Sequence, residues 1–309
     1  MTMGIKRRNP LLALLLLAAA QTSLAGPLRD KLQELRGERH NAETHVLRDL
    51  AYGSDPLQRL DVYLPDNPEH APLLLMVHGG AWRIGDKGAA AVVDNKVKRW
   101  LPKGFIFVSI NYRLLPDTAP QQQAEDVARA LAFAQQQAAS WGGDSSKIIL
   151  LGHSAGAHLV SLLAADPARA QAFGAKAWLG TVALDSAALD VEQIMRRPHA
   201  RFYDQAFGKS AEDWVAASPL KQLKKTATPL LIVCSSQRND SCPPARGFVE
   251  QAQRLGIRAQ LRPEDRSHQA INQELGLAND YTQAIEVFLA GLDSQVAQRL
   301  GIDPLIDTH

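Results

Sequence analysis

Five apolar runs constrain this chain more than anything else in it: "PLLLMVHGG", "FIFVSINYRL", "KIILLGHS", "AWLGTVALD" and "PLLIVCSS". None alternates polar with apolar, so each reads as a strand buried on both faces. Between most of them lie segments of helical periodicity. "AAVVDNKVKRWLPKG" stops at Pro102 and Gly104, and "QQQAEDVARALAFAQQQAASWGG" carries apolar residues at 3–4 spacing before a glycine stop. "AGAHLVSLLAAD" and "ARGFVEQAQRLG" continue the pattern, followed by a strand "IRAQLRPE" and a last helix near 275–291. Strand–helix alternation predicts a mostly parallel, doubly wound sheet covered on both faces. Two earlier strands, near 46–52 and 57–64, are separated by too few residues for a crossover, so that edge is expected to be antiparallel. The total is about eight strands. Residues 187–227 interrupt the alternation with mixed apolar and charged residues and read as a small helical cap over the carboxyl ends of the strands, where open α/β sheets bind ligands.

The first 25 residues obey a different rule. Lys6, Arg7 and Arg8 precede the ten-residue apolar stretch "LLALLLLAAA", and Ser23-Leu24-Ala25 supplies small residues before Gly26. This is the pattern of a signal peptide cleaved after Ala25, and the run is too short to span a bilayer. Residues 26–43 follow as a charged N-terminal arm, and 44–309 as the folded domain. The chain's formal charge of +2, less the three cations of the leader, leaves −1. That balance gives no support to nucleic-acid binding, and no second apolar stretch suits membrane insertion. The expected location is periplasmic or secreted, where Cys234 and Cys242, which bracket one loop, could pair.

"LLGHSAGAHL" places one serine between two glycines at a strand-to-helix corner. Such a corner exposes the central side chain, and Ser154 is the expected nucleophile. In chain order an acid and then a histidine should follow, each past the end of a later strand. "LLIVCSSQRNDSCPP" offers Asp240 and "IRAQLRPEDRSHQA" offers His268. Asp185, at the end of "AWLGTVALD", is the weaker candidate because it lies one strand earlier, and Asp265 sits too close to His268 in sequence. His153 is expected to pack rather than act as base. "HGGAW", 78–82, supplies bare backbone N–H groups for an oxyanion, and Trp82 either lines the pocket or fills the core. Arg196, Arg197 and Arg201 in the cap face either solvent or an acidic or phenolic substrate.

The stretches "YGSDPLQRLDVYLP", "HGGAWRIGDK", "INYRLLP" and "GHSAGAHL", with the later acid and histidine, resemble the α/β-hydrolase superfamily. Within it they are most similar to hormone-sensitive-lipase-like esterases of the ferulic-acid-esterase-like and kynurenine-formamidase-like branch. The resemblance covers most of 45–290. It implies an α/β-hydrolase fold and a serine esterase acting on short-chain or aryl esters through an acyl-enzyme. It also implies a small-molecule ester as partner, an oxyanion hole of the Gly80, Ala81 and Ala155 N–H groups, and no cofactor. Ala81 stands where many relatives have a third glycine. The cysteines and histidines show no zinc spacing. A formamidase would share these motifs, but a leader argues against that cytosolic chemistry. A serine peptidase of the prolyl-oligopeptidase kind would extend the elbow with glycine where Ala157 stands. A catalytically dead binding module would not need the complete set of residues. The acyl and alcohol groups and the oligomeric state are not legible.

Overall fold

The computed structural model describes residues 45–303, so the leader and arm expected from the sequence lie outside the described residues. Eight strands form one sheet in the order β1-β2-β4-β3-β5-β6-β7-β8. They are β1 His45–Ala51, β2 Arg59–Leu64, β3 Ala71–Val77, β4 Ile106–Ile110, β5 Gly143–His153, β6 Gly180–Leu184, β7 Leu230–Ser235 and β8 Ala259–Glu264. β1 runs antiparallel to β2 and β2 antiparallel to β4, and every other pair is parallel. This is the α/β-hydrolase architecture with the expected antiparallel edge.

Both faces of the central strands are buried, for the reason the unbroken apolar runs implied. On β3, Leu73, Leu75 and Val77 join one core while Leu74 and Met76 join the other. The first core is closed by helices Pro120–Gln137, Ala155–Ala165 and Cys242–Arg254, the second by Ala90–Trp100, Asp280–Ala290 and Ser294–Leu300. The final helical region is therefore divided more finely than the sequence suggested, with a separate short helix His268–Gln273 ahead of Asp280–Ala290.

Between β6 and β7 the segment read as a cap contains four short helices, Val191–Met195, Arg201–Phe207, Ala211–Ala217 and Pro219–Gln222. It is fastened from below. His158, on the helix that follows β5, accepts from Trp82 Nε1 at 3.2 Å and donates through Nε2 to the Ala217 carbonyl at 2.7 Å.

Candidate active site

Ser154 directly follows β5 and caps the helix Ala155–Ala165, with φ 55° and ψ −115°, a positive-φ backbone that non-glycine residues rarely adopt. The corner is that tight because the next helix starts directly beneath β3. A Cβ on Gly156 would stand 2.2 Å from the Val77 carbonyl oxygen. His268 opens the helix His268–Gln273, whose N-cap Ser267 accepts from Ala270 N. Its Nε2 lies 3.0 Å from Ser154 Oγ. Its Nδ1 lies 2.5 Å from Oδ2 of Asp185, the residue directly after β6. A carboxylate only accepts, so Nδ1 carries the proton and Nε2 is left as the lone pair facing the serine.

This corrects the acid expected from sequence. Asp240 does not reach His268. Its side chain is 62% exposed and its Oδ2 accepts from Arg238 Nη2 at 3.1 Å. The reason is geometric. β7 ends at Ser235, and Asp240 lies five residues farther along a loop that has already turned outward. Asp185 has no such slack. Its N–H continues the ladder to Val233 O at 2.8 Å, and its φ of 55° turns the carboxylate under the loop. There Oδ1 accepts from Ser235 N at 2.8 Å and from Ser241 Oγ, while Oδ2 accepts from His268 and from Arg238 Nη1 at 2.7 Å. Burial alone would raise this carboxyl. The bonds from His268, Ser241 and Ser235, with the charge of Arg238, outweigh burial and hold it well below the usual carboxylate range.

His153 packs, as expected, with its ring 4.5 Å from that of His268, but it also donates Nε2–H to the His268 carbonyl at 2.9 Å. Burial and the neighbouring imidazole push its ring down to about 3, so it is neutral.

Opposite the imidazole, the loop after β3 runs through Gly80, Ala81 and Trp82 with φ of 122°, 51° and 60°. At Gly80 a Cβ would fall 1.9 Å from the Ile84 carbonyl oxygen, so the turn requires glycine there. Gly80, Ala81 and Ala155 line the same cavity as Ser154 and His268, about 640 Å³ in volume. Trp82 forms part of its wall while remaining buried, so the two roles weighed from sequence coincide. Phe202 and Tyr203 of the cap complete the apolar side and separate this cavity from a second one of about 560 Å³, lined by Arg197, Arg238 and Asp240 among others. Of the cap arginines, Arg197 reaches that second cavity, while Arg196 is taken up by Glu192 at 2.8 Å.

A family profile described as BD-FAE matches residues 60–246. The chain belongs to this family. Among curated relatives, the probable carboxylic ester hydrolase LipM of Mycobacterium tuberculosis is 30% identical over 90% of this chain and 67% of its own length. Esterase LipC of the same organism is 32% identical over 69% and 56%. A probable isoprenylcysteine alpha-carbonyl methylesterase of Oryza sativa subsp. japonica is 38% identical, over 38% of this chain and 27% of that protein. The chain thus spans about a quarter to two thirds of the length of these relatives. Among solved structures, a truncated carbohydrate esterase from gut microbiota aligns with TM-score 0.67 at 17% identity, covering 84% of this chain and 97% of that one. Esterase B from Lactobacillus Rhamnosis aligns with TM-score 0.65 at 18%, covering 94% and 98%. At such identities the two structures speak for the fold.

Two features of this BD-FAE chain, Arg238 and an anchor at Lys87, escape a reading of motifs alone, whereas the pairing expected of Cys234 and Cys242 is present. Arg238 touches both the acid and the base. Cys234 and Cys242 are joined in a disulfide, with Cα atoms 5.1 Å apart, closing the loop that carries Arg238 and Asp240. The loop that carries Gly80 and Ala81 is anchored at its far end. Lys87 N donates to Asn111 Oδ1 at 2.6 Å, Asn111 Nδ2 to Asp86 Oδ2 at 2.9 Å, and Lys87 Nζ pairs with Asp61 at 2.7 Å and Asp49 at 2.8 Å. The anchor joins "GDK", in the loop before the helix Ala90–Trp100, to "INY", at the end of β4. Among the described residues no cluster of three His, Cys, Asp or Glu side chains is placed to hold a metal, and no helix is long and apolar enough to cross a membrane.

Proposed function

We propose that this protein is a serine carboxylesterase that hydrolyses short-chain or aryl esters through an acyl-enzyme. The observation that carries the reading is the unbroken line Ser154 Oγ to His268 Nε2 to His268 Nδ1 to Asp185 Oδ2. The ester-hydrolase names of its relatives support the reaction class. His268 accepts the Ser154 proton as Oγ adds to the ester carbonyl carbon. Asp185 holds the ring in the tautomer that leaves Nε2 free and balances the imidazolium that forms. The N–H groups of Gly80, Ala81 and Ala155 receive the oxyanion, each donor contributing roughly 2.7–4 kcal/mol. The imidazolium then gives its proton to the departing alkoxide or phenoxide, leaving Ser154 acylated. Water, deprotonated by the same imidazole, adds to the acyl carbon. Collapse of the second oxyanion returns the proton to Ser154 and frees the acid.

The cavity walls favour small or flat groups. Trp82, Ile84, Val92, Ala188, Phe202 and Tyr203 offer apolar surface on the approach to Ser154. We propose further that the chain is exported, with cleavage after Ala25. The leader pattern of 6–25 and the Cys234–Cys242 bridge, which persists in oxidising compartments, support that location.

The decisive experiment is rapid-mixing hydrolysis of p-nitrophenyl acetate and butyrate by the protein from Gly26 onward. A p-nitrophenolate burst stoichiometric with protein, abolished in Ser154→Ala together with a rate loss on the order of 10⁶, is expected. A pure Ser154→Ala preparation keeping a few per cent of the parent rate would defeat the assignment.

A further inference from the structure

We infer that Arg238 is a positioning residue of this site: its guanidinium, braced by Asp240, takes up part of the charge of Asp185 and so sets the pH range in which His268 serves as base. The inference rests on the esterase reading above. Nη1 of Arg238 stands 2.7 Å from Asp185 Oδ2 and 2.8 Å from His268 Nδ1. Guanidinium nitrogens only donate, and Nδ1 already directs its hydrogen at Oδ2. The close Nη1–Nδ1 approach is therefore two donors side by side on one carboxylate oxygen. In the serine–histidine–aspartate template the partner named for the carboxylate is the imidazole Nδ1–H. Here a permanent cation shares that carboxylate oxygen, which strengthens the hold on Asp185 and opposes a positive charge on the ring. Arg238 is itself held, because Nη2 donates to Asp240 Oδ2 at 3.1 Å and its loop is closed by the Cys234–Cys242 bridge.

The other charged groups around His268 do not duplicate this role. From β5, His153 is neutral and packs ring to ring. From the helix Ala90–Trp100, Lys96 is spent on the carbonyls of Ala91 and Asn272. From the loop after β8, Arg266 is paired with Glu264, Glu274 and Asp280. The polar contacts of the ring nitrogens are Ser154, Asp185 and Arg238. Removing Arg238 leaves Asp185 with Ser235 N, Ser241 Oγ and His268, so the buried carboxylate keeps its partners and the fold has no reason to fail.

The test compares the parent with Arg238→Met, Arg238→Lys and Asp240→Asn in two readouts. One is kcat/KM for p-nitrophenyl butyrate across roughly pH 5 to 9. The other is the NMR titration of the ring of His268 in protein labelled at histidine, assigned with His268→Ala. Arg238→Met should move the acidic limb and the ring titration upward together by about one pH unit, the size expected on losing a cation in contact. Arg238→Lys should restore part of the shift. Asp240→Asn should move both the opposite way by less, because Arg238 then spends its charge on Asp185 alone. A shift in Arg238→Met smaller than about 0.2 unit in both readouts, with only the plateau rate reduced, overturns the inference and leaves a purely structural arginine. A parent that turns over no ester overturns the esterase reading instead, and the NMR titration still decides the role of Arg238.

Discussion

Replacing Asp185 by asparagine separates the structure's acid from the one the sequence favoured. The consequence follows from the donors around the carboxylate. Ser235 N and Ser241 Oγ both point at Oδ1, so an asparagine must keep its carbonyl oxygen on that side. The amide nitrogen then occupies the place of Oδ2, facing His268 Nδ1 and Arg238 Nη1, where two donors were accepted before. To accept the amide hydrogen, His268 must release the Nδ1 proton and carry it on Nε2 instead. An imidazole with Nε2–H facing Ser154 cannot receive the serine's proton. The wrong tautomer costs about 10⁴ in kcat where it has been isolated in another serine hydrolase, which corresponds to about 5 kcal/mol of barrier. KM should change little, because Asp185 does not contact the ester. Asp240→Asn, by contrast, should keep kcat at its optimum pH within about threefold, the effect of an exposed charge. Both variants should be assayed on p-nitrophenyl butyrate beside melting curves that establish folding. If Asp185→Asn keeps more than about a tenth of kcat, or Asp240→Asn loses as much as Asp185→Asn, the tautomer argument is wrong.

The Cys234→Ser/Cys242→Ser double variant should lose about 2.5 kcal/mol in urea denaturation, the loop-closure entropy of a nine-residue ring, and an unchanged midpoint would contradict that. Gly156→Ala should be insoluble or melt far below the parent, with a cost above about 3 kcal/mol, because Val77 and His78 carbonyl oxygens lie 2.2 and 2.6 Å from the new methyl; a melting temperature matching the parent would refute the close packing. Acid should destabilise the protein early. Burial pushes His153 to about 3 and His158 to about 4, so the unfolded chain binds protons the folded one refuses. That contribution is complete above about pH 6.5 and is lost as pH falls toward 4, and Asp185 extends the loss to lower pH. Calorimetric melting that stays level between those pH values would contradict the neutral, buried imidazoles.

What could be read in advance was whatever local sequence determines. Ser154 is defined by its own corner, since the glycines at 152 and 156 belong to the same ten residues. His268 follows the last strand in the only order the fold allows. The acid depends on how far a side chain travels after a strand stops, and two candidates stood at comparable places. An aspartate that ends an apolar run without a spacer, as Asp185 does, is forced under the next loop and must find partners there. One set among "SQRND" can turn to water, as Asp240 does. Arg238 was illegible because its importance arises from contact with residues 53 positions before it and 30 after it. The cap was visible as an interruption, but not the pair Phe202 and Tyr203 that it lends to the cavity.

On the esterase reading, the anchor at Lys87 gives the edge of the sheet a stake in catalysis. Asp61 belongs to β2, whose Leu60 and Val62 lie in one core and Tyr63 in the other, and Asp49 to β1, the outermost and least covered strand, so the loop carrying Gly80 and Ala81 hangs in part from the exposed edge of the sheet. Peripheral hairpins open by local fluctuations at a fraction of the free energy of global unfolding. Each opening would release Lys87 and let the loop at Gly80 and Ala81 relax out of its positive-φ turn while Ser154, His268 and Asp185 stay in place. Warming should then silence the enzyme reversibly below its melting temperature. Amide protons of β1 and β2 would exchange with solvent in step with the lost activity, and those of β3, β5 and β6 would remain protected.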